Sequence, residues 1–353
     1  MTTIYDIAAH VGVSHGTVSR VLNGADYRRP TFRKRAETIR RVAAEMGYRP
    51  NTSAQAVRRG TFQAITLLMS NERSRSLVTD DMLFGLQSAA RRHGLSVQLA
   101  TVSHDRLNDE DYLPHALGQW HSDGMLVNFQ RHPPARLGEL LERYRVPAVW
   151  MNADVPHDVV RPDDRAAARE ATEHLLSLGH KKIWFVQYSR SPDTTHYSEL
   201  HRQDGYEQAM HAAGLRPTTI DRHHPTLGYF PAQSGLTDTE VRNERWAQAL
   251  SAPDRPTALV LYGGSTNTVF PVAAAMAGLR VPRDLSLVTF VQSNVFAGFD
   301  YTAWKVPVED VGARAVDALV RKIAAPAEAI DPICLPFSLS QGQTVAPPAD
   351  VSR

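Results

Sequence analysis

The stretch that decides the fold of the N-terminus is Thr3-Ile4-Tyr5-Asp6-Ile7-Ala8, continued by Gly12-Val13-Ser14-His15-Gly16-Thr17-Val18-Ser19-Arg20-Val21-Leu22-Asn23. Thr3 with Asp6 three residues on has the pattern of a capping box, Asp standing for the usual Glu, and predicts a helix from Ile4. Ile4, Ile7, Ala8 and Val11 recur at helical spacing on one face; Gly12 interrupts the run and Val13 supplies an apolar plug. Ser14 is placed to cap a second helix with Val18, Val21 and Leu22 inward, and Asn23-Gly24 ends it. A third helix is predicted from about Thr31, burying Ala36, Ile39, Val42, Ala43 and Met46 and stopping at Gly47. Two short helices joined by a Gly-containing turn and braced by a third make a helix-turn-helix domain.

Such a unit enters a DNA major groove with the N-terminal end of its second helix. The charge distribution agrees. Residues 1–60 hold eleven Lys/Arg against four Asp/Glu, a net of +7, and the remainder holds 28 against 33, a net of −5. A basic head on an acidic body points to a polyanion partner at one end, although a basic helix alone can be a solvated face. The outward side of the second helix carries His15, Gly16, Thr17 and Arg20. Arg20 can donate two hydrogen bonds to the O6 and N7 edge of a guanine, a contact worth about 1–3 kcal/mol of discrimination. His15 can donate or accept; Gly16 either permits close approach or leaves a base pair unread. Tyr5, Ser14, Thr17 and Asn23 suit phosphates, which position without specifying. For Thr17 and Asn23, capping and turning the helix is the other reading.

With Gly47-Tyr48-Arg49-Pro50-Asn51, Ala54 and Val57-Arg58, these residues resemble the head of a LacI/GalR-family transcriptional regulator. The connection from Gly24 to Pro30 is a few residues longer than the family's usual turn. It holds Tyr27-Arg28-Arg29, which either adds backbone contacts or forms a solvated loop. Residues 51–59 read as one short helix, too short to persist alone in water and therefore a flexible linker off DNA. The resemblance implies that two such hinge segments, one per subunit, fold together against the minor groove. There Val57 wedges between base steps and Arg58 lies against phosphates. Val57 stands where the family commonly has Leu, so a shallower kink is expected.

At about 150 residues per domain, 353 residues ask for two to three domains. A content of 42% apolar and 22% charged residues argues against a disordered chain. No run approaches the roughly 20 apolar residues of a membrane span. Met1–Asp6 lacks the basic patch and apolar core of a secretory signal, and the lone Cys334 suits a reducing compartment. Together these predict a cytoplasmic protein with no membrane partner. From residue 62 short apolar runs alternate with amphipathic helices. Ala64–Met69, Ser96–Thr101, Gly124–Asn128 and Ala148–Asn152 read as buried parallel strands, with helices near Met82–His93, Glu110–His121 and Arg136–Arg145. The alternation repeats with helices Arg165–Leu178, Arg202–Ala213, Asp238–Leu250 and Asn267–Ala277 and strands Lys182–Val186, Ala258–Leu261 and Ser286–Phe290. This is βαβ architecture in two lobes, whose ligand belongs beyond the carboxyl ends of the strands. No dinucleotide, P-loop or nucleophile-elbow motif is present, so no cofactor and no catalytic residue are expected. Gly263-Gly264-Ser265 reads as a tight turn, or as an anion holder at a helix start. His196, His201, His211, His223 and His224 do not combine with Cys or Asp at a zinc spacing, so no metal is expected.

The body resembles the same family's ligand-binding core, which is like a type I periplasmic sugar-binding protein. The likeness rests on His174–His180, Arg202-Gln203-Asp204-Gly205-Tyr206 and Gly278–Ser286. The implied architecture is an all-α helix-turn-helix domain in residues 1–50, a hinge helix in 51–60, a two-lobed α/β core in 61–345 and a tail in 346–353. Its first lobe takes 61–161 with 291–322, its second 162–290 with 323–345. The resemblance implies a homodimeric transcription regulator, a repressor, on an inverted-repeat operator in double-stranded DNA. A small-molecule effector, a sugar or sugar derivative, would sit between the lobes. Arg202 occupies the place of a cleft arginine that donates to ligand hydroxyls or carboxylates. Phe230 occupies that of a stacking aromatic, unless it is a loop anchor. Ser265 and Val291 stand where the family usually has Asp, and Ser76-Leu77-Val78-Thr79 lacks an aromatic pair often seen there, leaving Val78 and Thr79 as candidate contacts. Without those hydroxyl acceptors a modified or acidic sugar, another metabolite, or a cleft without an inducer comes into view. A solute-binding protein fits the body but not the head, and a hydrolase is left without a motif.

Overall fold

The computed structural model describes residues 2–23, 30–49, 60–72, 75–107, 109, 112, 121–131, 133–187, 196–221, 238–264, 266–292 and 299–349. The chain divides into two compact units, Met1–Gln63 and Ala64–Arg353.

In the first unit, Ile4–Val11 (α1), His15–Leu22 (α2) and Pro30–Glu45 (α3) are helical. Both halves of the capping box close. The Asp6 amide donates to Thr3 Oγ1 at 3.3 Å, and the Thr3 amide donates to the Asp6 carboxylate at 2.8 Å. Gly12 turns the chain at φ 71°, a left-handed conformation that a Cβ disfavours. The three helices close over Ile7, Val18, Val21, Ala36, Ile39 and Val42, none more than 4% exposed. This core is what holds eight-residue helices that would not persist alone. Ile4, Val11, Leu22 and Met46 are only partly buried at its margin. The Gly24–Arg29 turn and the hinge residues Val57 and Arg58 lie outside the described residues.

The second unit holds two six-stranded sheets. The first runs Ile333–Leu335 (β11), Val159–Pro162 (β5), Ala148–Met151 (β4), Gly124–Asn128 (β3), Ala64–Ser70 (β1), Ser96–Val102 (β2). The second runs Ser338–Ser340 (β12), Thr302–Lys305 (β10), Ser286–Val291 (β9), Ala258–Leu261 (β8), Ile183–Val186 (β6), Thr218–Ile220 (β7). Neighbours are parallel, as in β1, whose Leu67 faces Leu99 and Leu126, except that β10 and β12 are antiparallel. The helices of this unit are Asp80–Arg92 (α4), Ala135–Arg143 (α5), Asp164–Ser177 (α6), Tyr197–Ala212 (α7), Asp238–Leu250 (α8), Thr266–Met276 (α9) and Val308–Ala324 (α10). Helices α4 and α10 meet backbone to backbone: a Cβ on Gly85 would lie 2.0 Å from the Glu309 carbonyl oxygen, and one on Gly312 2.2 Å from that of Met82.

Several expectations are corrected. Strand β2 is a half-exposed edge rather than a buried strand, with Leu99 64% exposed, because it has one neighbour only. Helix α7 begins at Tyr197 rather than Arg202, because the His196 ring accepts from the Ser198 amide at 3.2 Å and caps it there. The expected helix Glu110–His121 falls almost wholly outside the described residues. The chain recrosses between lobes at Val306-Pro307 and at Pro336-Phe337, not near 291 and 323. Strand β10 belongs to the second sheet, where Ala303 and Trp304 are buried. Helix α10 packs Val311, Ala315 and Leu319 into the first lobe, and β11 joins the first sheet.

Candidate functional site

Two surfaces carry the expected site residues. On α2, Val18 and Val21 are locked in the core, which fixes the opposite side outward. His15 and Arg20 are exposed there. Tyr5 is 63% exposed and its ring lies 5.0 Å from the His15 imidazole. Arg20 Nε donates to the Gly16 carbonyl at 3.3 Å, and its two terminal nitrogens take no partner among the described residues. A Cβ on Gly16 would meet nothing within 4 Å, so packing in this unit does not call for glycine. Ser14 Oγ accepts from the Thr17 amide at 3.3 Å and lies 2.9 Å from Thr17 Oγ1, pairing the two hydroxyls at the positive end of the helix. Asn23 Nδ2 donates to Ser19 Oγ at 3.2 Å, which supports its turn-forming role.

The second surface is a cleft of about 530 Å³ between the lobes. It sits where strands end. Gln130 and Arg131 follow β3 and Asn152 follows β4 on one side; Tyr262 follows β8 and Phe290 and Val291 end β9 on the other. Arg202 stands at its second-lobe wall. Its Nε donates to Asp164 Oδ1 at 2.7 Å and its Nη1 to the Tyr262 carbonyl at 2.7 Å. The guanidinium lies 4.5 Å from the Phe290 ring and 4.7 Å from that of Tyr262, a cation–π seat. Burial pushes the Asp164 carboxyl up, against the pull of Arg202. Its Oδ2 is buried without a hydrogen-bond partner.

His196 is strongly perturbed as well. Burial first, then the charges of Arg202 and Arg131, push its pKa down to about 3, so the imidazole is neutral. Its Nδ1 accepts from the Ser198 amide, which places the ring proton on Nε2. That nitrogen is buried without a partner, the Asn152 carbonyl lying within electrostatic reach but outside hydrogen-bond geometry. Ser198 Oγ lies 2.7 Å from His196 Nδ1 and 2.7 Å from the Tyr262 hydroxyl. Across the lobes, the Tyr197 hydroxyl donates to Asn152 Oδ1 at 2.8 Å.

Of the expected cleft residues, Arg202 and Val291 line it. Val78 and Thr79 do not. Val78 packs against the first-lobe core, and Thr79 Oγ1 accepts from the Met82 amide at 3.3 Å to cap α4; their neighbour Leu77 lines the cleft instead. Phe230 and Ser265 lie outside the described residues. Gly263 sits at φ 111°, and a Cβ there would lie 2.4 Å from the Phe290 carbonyl oxygen, which favours the tight-turn reading of its segment. Arg131, Asn152, Asp164 and His196 were not anticipated. Among the described residues, no group of three or more His, Cys, Asp or Glu is gathered as for a metal ion, and no helix is long and apolar enough to cross a membrane.

Residues 3–51 match the family model described as bacterial regulatory proteins, lacI family, and residues 172–345 match that of a periplasmic binding protein-like domain. The chain belongs to the LacI family. The HTH-type transcriptional regulator DegA of Bacillus subtilis (strain 168) is 27% identical over 319 residues, 88% of each chain. The regulator CelR of Thermobifida fusca is 29% identical over 349 residues, 94% of each. Among solved structures, the Lac repressor dimer bound to operator and the anti-inducer ONPF gives a TM-score of 0.75 at 22% identity, covering 98% of this chain and 99% of that one. A CelR–cellobiose complex gives 0.61 at 24%, covering 98% and 100%. At these identities the likeness is one of fold. It comprises a LacI-type helix-turn-helix head and a two-sheet, type I periplasmic-binding-protein-like core.

Proposed function

We propose that this LacI-family regulator is a homodimeric repressor that reads an inverted-repeat operator with α2 and is controlled by a carbohydrate or related metabolite held between the lobes of its core. The observation that carries the reading is the division of α2: Val18 and Val21 anchor it in a closed three-helix core, while His15 and Arg20 stay exposed on a segment of net charge +7. His15, Gly16 and Arg20 read bases; Tyr5, Ser14, Thr17 and Asn23 hold the backbone; Val57 and Arg58, in the 51–60 hinge, occupy the minor groove. Arg202 and Val291 belong to the effector site, with Phe230 and Ser265 assigned to it on resemblance. The cellobiose held by CelR supports a carbohydrate-class ligand.

One head reads only a few base pairs, and a twofold pair supplies usable specificity. Phe84 and Leu99 on the first lobe and Val272 and Met276 on the second, 46–64% exposed, support such a pairing surface. Binding rather than catalysis fits the cleft, because its carboxylate Asp164 is tied through Oδ1 to Arg202 and its imidazole, with a pKa of about 3, is a poor base. Effector and operator affect each other's affinity reciprocally, typically by about 1–3 kcal/mol.

The test is selection of inverted repeats from a randomised half-site library, followed by gel retardation over a salt series. A salt-dependent shift of the selected repeat, exceeding that of random DNA, is expected. Arg20→Ala should cut the preference for the selected site about tenfold or more, at an unchanged thermal transition of the core. Failure to retard any selected repeat overturns the DNA reading, and intact selectivity in the variant overturns the role of Arg20.

A further inference from the structure

The charges around the cleft do not balance. Among the described residues two arginines and one aspartate line it, and Asp164 is bound to Arg202 at 2.7 Å. Arg131, half-buried on the opposite lobe, makes no hydrogen bond or ion pair among the described residues. Glu199, the next carboxylate inward, makes no ion pair with it, and burial raises the Glu199 pKa against the pull of Arg131 and Arg202. His196 is depressed by burial first, and the charges of Arg202 and Arg131 add to it in the same direction. A neutral polyol needs acceptors for its hydroxyl protons, yet Val291 offers none and Asp164, whose Oδ1 is held by Arg202, keeps only its buried Oδ2. Besides Asp164 Oδ2 and His196 Nε2, two amides keep free polar atoms. Gln130 Nε2 donates to the Leu77 carbonyl at 2.6 Å, leaving its Oε1 to accept, and Asn152 Oδ1 accepts from Tyr197, leaving its Nδ2 to donate.

We propose that the effector of this cleft is an oxyanion-bearing metabolite, a hydroxylated molecule with a carboxylate or phosphate, and that Arg131 is the residue that selects the anion. The inference rests on the cleft being the effector site. A guanidinium with a free fork on the first lobe matches an oxyanion in geometry and charge, and the charge-assisted bond so formed is among the stronger ones available to a protein. Arg202 plays a different part. Its charge is compensated by Asp164 and it is wedged among Phe290, Tyr262 and Phe337, so it shapes the second-lobe wall rather than counting the ligand's charge. The anion then anchors on one lobe while the hydroxylated remainder lies against the other.

The experiment is a thermal-shift and calorimetric titration of the full chain at constant ionic strength. The probes are inorganic phosphate, glucose, glucuronate, galactose, galacturonate and glucose 6-phosphate. Stabilisation by phosphate and by at least one anionic sugar, and not by its neutral parent, is expected. The uronate and phosphate arms tell which oxyanion is preferred. In Arg131→Met the anion affinity should fall about tenfold or more, and Arg131→Lys should restore part of it. Three results overturn the inference: no shift from phosphate or any anionic probe, stabilisation by a neutral sugar that equals its anion, or an anion response unaltered in Arg131→Met. Failure of the underlying reading looks different, since the wild-type chain would then select no operator. A chain that selects its operator and ignores anions refutes this inference alone.

Discussion

Replacing His196 with Asn should remove a measurable part of the core's acid sensitivity. The His196 imidazole has a folded pKa of about 3, set first by burial, against an unfolded value of about 6.5. Its folded pKa is depressed, so below pH 6.5 the unfolded chain binds a proton that the folded chain refuses. Stability is therefore lost as pH falls from about 6.5 towards 3. At pH 5 the unfolded imidazole is almost fully protonated and the folded one almost not, and the linkage integral from pH 7.5 comes to about 2 kcal/mol. His180 and His201 are also lowered, burial being the first cause of each, whereas burial raises Asp164 and Glu199, which act with the opposite sign, so the difference from the variant is what isolates His196. Asn is the right replacement because its side-chain oxygen can still accept from the Ser198 amide and keep the cap of α7. The assay is urea unfolding followed by tryptophan fluorescence at pH 7.5, 6.5 and 5.0. Residues 1–63 contain no tryptophan, and Trp150, Trp184, Trp246 and Trp304 are buried in the second unit, so the signal belongs to the core. An identical loss of stability in wild type and His196→Asn between pH 7.5 and 5.0 would refute the reasoning.

Two further outcomes follow from packing. Asp164→Ala strands a buried guanidinium whose Nε partner it removes, and should cost the core about 3–5 kcal/mol, read as a fall in midpoint in the same assay; a loss below 1 kcal/mol would show the pair to be solvated. Gly205→Ala places a Cβ 2.1 Å from the Arg165 carbonyl oxygen and should destabilise the core by at least about 1–3 kcal/mol. Gly16→Ala, with nothing within 4 Å, should instead stabilise the head by about 0.5–1 kcal/mol in calorimetry. A reversed order of these two glycine effects would contradict the helix contacts described above.

The sequence yields those parts of the fold whose burial is written in the local pattern. Strands β1, β3, β4, β6, β8 and β9 are covered on both faces and read as near-continuous apolar runs, and α1 is announced by Thr3 and Asp6. The three-residue strands β7, β11 and β12 have no such run, because pairing with a neighbour makes them strands. Helix α10 was legible and missed: Val308, Val311, Ala315 and Leu319 keep helical spacing directly after Pro307. In the cleft, family resemblance pointed to Arg202, but its bond to Asp164, 38 residues earlier in the chain, is a product of the fold. Arg131 and Asn152 bear no motif. Their signal was positional, one to three residues past strands already recognised, where ligands of parallel sheets collect.

The three lobe crossings bear on how such a cleft acts. The chain passes between lobes at Pro162-Asp163, Val306-Pro307 and Pro336-Phe337, each with a proline whose φ is fixed. The first and third lie side by side, the Asp163 amide donating to the Leu335 carbonyl at 2.8 Å. Stiff, adjacent crossings confine the relative motion of the lobes to a few dihedral angles, a hinge rather than a loose tether. Beyond them the lobes meet through the Tyr197–Asn152 hydrogen bond, the His201–Asp154 contact at 3.5 Å and the Arg161 guanidinium over the Tyr197 ring, and a single such hydrogen bond is worth about 0.5–1.5 kcal/mol net. A ligand that touches one lobe alone has equal affinity for open and closed forms and shifts nothing, however tightly it binds. Only a molecule spanning from Arg131 to the Arg202 wall distinguishes the two states, so the proposed control of operator binding requires a two-ended ligand long enough to meet both lobes at once.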